Sequence, residues 1–173
     1  TEGFAQLDAS QQAALLTSFE EEFKKDLRPI NEDSMPGDLS NVITGRIANA
    51  FDLGGPNFTA DAACASSMAA MQAAVKGLKD GDFDVAVTGG ADSSMGVPSY
   101  TKFCKIGALS PDHSAPFDAT ANGFVMGEGA AILVLKRLED AERDGDQVYA
   151  LIRGIGASSD GKGKGITAPN IEG

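Results

Sequence analysis

The chain has 173 residues, 42% of them apolar, which suits one domain with a sizeable core and excludes a disordered segment as the default. A formal charge of −11 and a pI near 4.4 argue against a nucleic-acid or anionic-membrane surface, because phosphate would repel it. No apolar run has the length of a membrane span and no signal-peptide layout opens the chain, so a soluble cytoplasmic setting is expected.

From Ser10 to Phe23 the apolar residues Leu15, Phe19 and Phe23 recur every four positions around Glu20, Glu21 and Glu22, which predicts a helix ended by Pro29. Leu39, Val42, Ile43 and Ile47 repeat at three and four. They predict a second helix, capped by Asp38 or Ser40, buried on one side and broken at Gly54-Gly55-Pro56. "PNFTADA" reads as a short strand leading into Cys64. Met68, Met71, Val75 and Leu78 then form a helical stripe that is expected to face a core, with Gln72, Lys76 and Lys79 opposite.

"DVAVTGGAD", residues 84 to 92, is a run of small apolar residues ended by glycines, and predicts a strand covered on both faces. "GAAILVLKRL" and "VYALIRGIGA" predict two more strands, separated by a short charged helix around residues 136 to 144 that Gly145 stops. Helices alternating with buried strands make the class α/β. "DGKGKG", residues 160 to 165, is a solvated loop: a P-loop needs GxxxxGK[ST] between a strand and a helix, and that pattern is lacking.

Two cysteines far apart, Cys64 and Cys104, do not form a disulfide framework or a zinc knuckle, and one histidine, His113, cannot build a metal site alone. Cys64 lies in "DAACASS", where the predicted strand ends and a helix begins. Unpaired N–H groups and the macrodipole at a helix start favour a thiolate. The small neighbours Ala62, Ala63, Ala65 and Ser66 leave room for a thioester, and the Cys64 N–H is a candidate oxyanion donor. The local pattern reads equally as a nucleophile or as a small buried hydrophobe. Cys104 follows Phe103 in a helical context and is expected to be buried.

These residues resemble the β-ketoacyl synthases of fatty acid and polyketide assembly lines. "GPNFTADAACASS" is similar to the family's active-site segment and "VAVTGGAD" to its following strand. "LSPDHSAPFDATANGFVMGEGAAILVLKRLEDAERDGDQVYALIRG" is similar to its central signature, and "DGKGKGITAPN" to the loop after it, so the likeness runs in order from about Asn41 to Asn170. "DAACASS" with "TGRIANAFDL" upstream is more similar to large multidomain polyketide or polyunsaturated fatty acid synthases than to stand-alone enzymes.

The resemblance implies a thiolase-like, condensing-enzyme fold and a decarboxylative Claisen condensation. Cys64 would be the catalytic nucleophile, taking an acyl group from the phosphopantetheine of an acyl carrier protein. No cofactor, metal or nucleotide is implied, and the partners are the carrier protein and a second copy of the chain, a dimer in the parent. Residues 1–173 are expected to form a partial synthase domain that lacks the opening strand and the C-terminal half. The family's two catalytic histidines, in His-Gly-Thr-Gly-Thr and Asn-Ile-Gly-His contexts, fall downstream of "TAPN", and the chain ends at Gly173. The fragment is therefore expected to be inactive in condensation. His113 stands where the family often carries glycine and is expected to be a surface residue. Asp118 and Glu128 match motif positions and read as turn or ion-pair residues. The reading from a different class is a non-catalytic structural or interaction module that keeps the fold.

Overall fold

The structure, a computed structural model, describes residues 2–93, 95–163, 165 and 168–171. The chain divides into two units, Thr1–Asn57 and Phe58–Gly173. The first unit is helical: α1 (Glu2–Ala5), α2 (Ala9–Lys24), α3 (Ser34–Asp38) and α4 (Asn41–Ala50). α2 starts at a capping box, in which Asp8 Oδ1 accepts from the N–H groups of Ser10 and Gln11, both at 2.9 Å, while Gln11 Oε1 accepts from the Asp8 N–H at 3.1 Å. An ion pair between Glu20 and Lys24, one turn apart, supports its last turns.

The predicted helical period of α2 and α4 holds, but the burial predicted for one side of α4 does not. Neither helix has a buried residue: Leu15, Phe19 and Phe23 are exposed, and α4 half-buries Val42 and Ile47 while Ile43 is exposed. Amphipathic spacing selects a helix without supplying the surface that would cover its stripe.

The second unit is built on α5 (Ser66–Asp80), β1 (Val85–Asp92), α6 (Val97–Lys105), β2 (Gly129–Lys136) and α7 (Leu138–Asp144), with a 3-10 turn at Ala63–Ala65 ahead of α5. β1 and β2 pair antiparallel in a two-stranded sheet, from Val85 opposite Lys136 to Asp92 opposite Gly129. α5 lies on β1. Ala74 and Leu78 on the helix and Ala86 on the strand form the core, with Phe83 and Leu135 packed against it. Gly77 lets the helix and the turn meet, since a Cβ there would lie 2.3 Å from the Phe83 ring. Gly81, at φ 79°, ends α5 in the left-handed conformation that suits glycine.

α7 is fastened to this core by charge. Arg137 donates to the carbonyls of Leu78 at 3.0 Å and Phe83 at 3.1 Å and pairs with Asp84 and Asp140, and Asp140 is also paired with Arg143. Arg143 and then Arg137 hold the Asp140 carboxyl below the usual carboxylate range. Lys136 pairs with Asp144 and Asp146. As predicted, Gly145 stops the helix, at φ 73°.

Several sequence expectations are corrected. Residues 56–62 and 148–157 form no strand, because a strand exists only as a pair and neither segment is paired with another strand among the described residues. β1 and β2 are not covered on both faces: Ala86 and Thr88 are buried, whereas Val85, Val87, Ile132, Leu133 and Val134 are exposed. The glycines Gly89 and Gly90 do not end β1 but lie within it. α5 starts at Ser66 and not at Cys64. Lys164, Ile166 and Thr167 of "DGKGKGITAPN" lie outside the described residues. Among the described residues no helix is long and apolar enough to cross a membrane.

Candidate active site

Cys64 is the middle residue of the 3-10 turn and is exposed. The turn is tightly bonded. The Ala62 N–H donates to Ser66 Oγ at 2.9 Å, the Ala63 N–H to Asp61 Oδ1 at 3.0 Å and Ser66 Oγ to the Ala63 carbonyl at 2.6 Å. The Ala65 N–H closes it on the Ala62 carbonyl at 3.0 Å. Ala63 has φ 48°, in the left-handed region that alanine rarely adopts. No hydrogen bond among the described residues uses the Cys64 N–H.

The turn is carried to the sheet by the first turn of α5. Gly90 in β1 faces Ser67, and a Cβ at Gly90 would lie 2.8 Å from the Ser67 Cβ. Gly89 beside it passes the partner strand so closely that a Cβ would lie 2.1 Å from the Ala131 carbonyl oxygen. The "TGG" step therefore lets the start of α5, two residues beyond Cys64, approach the strand. Sequence reasoning missed this role. Its signal was present as glycines inside a strand pattern, which mark close backbone approach.

The other singled-out residues lie in a separate loop. After α6 the chain turns at Gly107, and Leu109 bridges to Phe124. The Ser110 N–H donates to the Phe124 carbonyl at 3.0 Å, and Phe103 meets Phe124 edge-on at 5.5 Å. His113 is exposed and its Nδ1 lies 2.9 Å from Asp112 Oδ1. The Ser110 hydroxyl, followed by His113, holds the Asp112 carboxyl below its ordinary range. Asp118 is a turn residue, accepting from the Thr120 N–H at 2.8 Å and its hydroxyl at 2.6 Å. Those two bonds, the hydroxyl's first, lower its carboxyl as well. Glu128 accepts from the Met95 N–H at 2.6 Å, joining the segment after β1 to the segment before β2.

No hydrogen bond or ion pair among the described residues joins His113, Asp118 or Glu128 to Cys64. Cys104, expected to be buried, is exposed on α6: it is Phe103 beside it that turns inward against Phe124. Among the described residues no group of three or more His, Cys, Asp or Glu is placed to hold a metal ion. A shallow groove on the outer side of α5, lined by Gln72, Lys76, Lys79 and Ile155, does not include Cys64.

A helix laid on a glycine-bearing strand, with an exposed cysteine in the turn that feeds it, belongs to a piece of the thiolase-like fold, as the likeness to solved ketosynthases shows. The solved ketosynthase from module 6 of the bacillaene synthase of Bacillus subtilis 168 superimposes with a TM-score of 0.75 at 41% identity, over 84% of this chain and 27% of that one. An oxazolomycin ketosynthase domain from Streptomyces albus matches with a TM-score of 0.74 at 34% identity, over 87% of this chain and 26% of that one. The family model for the β-ketoacyl synthase N-terminal domain matches residues 5–141, and the chain belongs to that family.

Among its relatives, a polyunsaturated fatty acid synthase polypeptide from Thraustochytrium is 45% identical over 154 residues, 88% of this chain and 6% of that protein. A phenolphthiocerol/phthiocerol polyketide synthase polypeptide from Mycobacterium tuberculosis is 41% identical over 146 residues, 84% of this chain and 8% of that protein. The chain thus spans under a tenth of these synthases and about a quarter of the solved ketosynthase chains.

Proposed function

We propose that Cys64 is the acyl-accepting nucleophile of a condensing enzyme and that this chain is the cysteine-bearing part of its synthase domain. The observation that carries the reading is an exposed thiol in the turn ahead of α5, with small neighbours and an N–H that no bond among the described residues occupies. In the reaction, the Cys64 sulfur attacks the carbonyl carbon of an acyl thioester on the phosphopantetheine of an acyl carrier protein. The new S–C bond replaces the carrier's, and the carrier sulfur leaves as a thiol with the proton that Cys64 gave up. The Cys64 N–H points to a donor for the oxyanion formed on the way.

In the complete domain a malonyl extender then loses carbon dioxide, and its carbanion attacks the Cys64 thioester to release the Cys64 thiolate, which takes up a proton from solvent, and a β-ketoacyl carrier. No metal or nucleotide enters this scheme. His113, exposed and turned to Asp112, does not stand in for the family's histidines. The exposed apolar side chains of β2 favour association with a second copy, in a cytoplasmic setting.

Alkylation with iodoacetamide followed by peptide mass analysis tests the reading. Both thiols are exposed, so accessibility alone does not separate them. Preferential modification of Cys64 is expected. Modification of Cys104 with Cys64 spared overturns the assignment.

A further inference from the structure

The turn that holds Cys64 contains a strained residue, and two side chains outside the chemistry account for its persistence. Ala63 has φ 48°. An alanine there returns to ordinary backbone unless its surroundings fix it. The Ser66 hydroxyl works in both directions, accepting from the Ala62 N–H at 2.9 Å and donating to the Ala63 carbonyl at 2.6 Å. Asp61 Oδ1 takes the Ala63 N–H at 3.0 Å, and the Ala62 carbonyl takes the Ala65 N–H at 3.0 Å. The backbone donors and acceptors of Ala62 and Ala63 are thus all engaged, and the next peptide N–H, that of Cys64, is not.

We propose that Ser66, assisted by Asp61, is a positioning residue that holds Ala63 left-handed and so fixes where the Cys64 thiol and N–H point. The proposal rests on the reading of Cys64 as the acyl acceptor. A hydroxyl is required because one atom must accept and donate at once, which alanine cannot do and threonine can. The backbone of Ala63 sets the orientation of the peptide it shares with Cys64. Release of the clamp therefore displaces the cysteine without removing any group that touches substrate.

The chain supplies its own reference thiol in Cys104, so the readout is the ratio of Cys64 to Cys104 alkylation in one molecule, beside acyl transfer from an acyl-N-acetylcysteamine thioester. Ser66→Ala is expected to lower the ratio about tenfold, and Ser66→Thr to keep it within about twofold. Ala63→Gly separates positioning from simple stabilisation. Glycine adopts the left-handed conformation without strain, so the Ala63→Gly/Ser66→Ala double variant regains most of the ratio although both hydrogen bonds of the hydroxyl stay lost. Where Ser66→Ala impairs folding, the exposed Asp61→Ala change reads the same drop.

An unchanged ratio in folded Ser66→Ala, or a double variant no better than Ser66→Ala, overturns the clamp. Acyl transfer that persists in Cys64→Ala instead overturns the acyl-acceptor reading, and the alkylation ratio still decides the clamp.

Discussion

α2 in the first unit and the α5–β1–β2–α7 assembly in the second are both regular structure, held by different means. α2 rests on bonds between residues at most eight apart: the Asp8–Gln11 box, the Gln12 amide donating to the carbonyls of Phe4 and Leu7, the Glu20–Lys24 pair and the Lys25–Glu22 pair. Even its aromatic contact, Phe19 stacked on Phe23 at 6.0 Å, stays on one helix face. In the second assembly Arg137 reaches Asp84 and the carbonyls of Leu78 and Phe83, more than fifty residues away, while Gly77 and Gly90 let backbone meet side chain. The difference teaches that a periodic sequence specifies conformation, whereas position in space needs a distant partner. The candidate nucleophile is fed into the helix that has such partners.

The largest effect is expected in the small core. Leu78 is 5% exposed between α5 and β1. Leu78→Ala should lower the unfolding free energy by about 2–5 kcal/mol, as large-to-small changes in packed sites do. Leu15→Ala on the exposed stripe of α2 should stay within about 0.5 kcal/mol. Urea denaturation of the two variants measures the contrast, and comparable losses would mean that α2 is packed as firmly as α5.

Charge separates the regions next. Asp140 is 7% exposed between Arg137 and Arg143, and its carboxyl is held below the ordinary range. The folded state therefore binds its proton less readily than the unfolded chain. The stabilisation is complete above the unfolded value of about 4 and is lost as pH falls toward the lower folded value. Asp140→Asn should lower the melting temperature at pH 7, and the gap from the unaltered protein should narrow as pH drops below about 4. A gap independent of pH would assign the loss to packing instead of to the ion pairs.

Much of the second assembly was legible. The small apolar run of β1, the β2 run, the charged α7 and its Gly145 stop follow from local pattern, and "DAACASS" marked Cys64 as a cysteine just ahead of a helix, although no strand leads into it. What could not be read depends on neighbours. Residues 56–62 and 148–157 carry strand-forming side chains, but a ladder belongs to two segments and sequence states only one. Cys104 illustrates the same limit, since Phe103 and Cys104 are adjacent on α6 and only the position of Phe124 decides which of them turns inward. The left-handed backbone at Ala63 was equally invisible: alanine announces no turn, and the Ser66 and Asp61 bonds that hold it appear only once the turn is formed.

The smallest expected effect belongs to the cap of α2, and it tests whether that helix is as local as its bonds suggest. The Gln11 N–H, the Ser10 side chain and the Ser10 N–H lower the Asp8 carboxyl, so the charged form is the one that caps the helix. Its contribution is complete above about pH 4 and fades below, in the same direction as that of Asp140. Asp8→Ala removes the acceptor for two N–H groups and should fray about one turn of helix, seen as a modest loss of circular dichroism without a change in the cooperative urea transition. Asp8→Asn keeps a side-chain oxygen and should retain most of the signal, now independent of pH. If Asp8→Ala instead moved the cooperative transition as far as Leu78→Ala does, the helix would be coupled to the core through contacts stronger than any bond within α2, and the contrast between the two regions would fail.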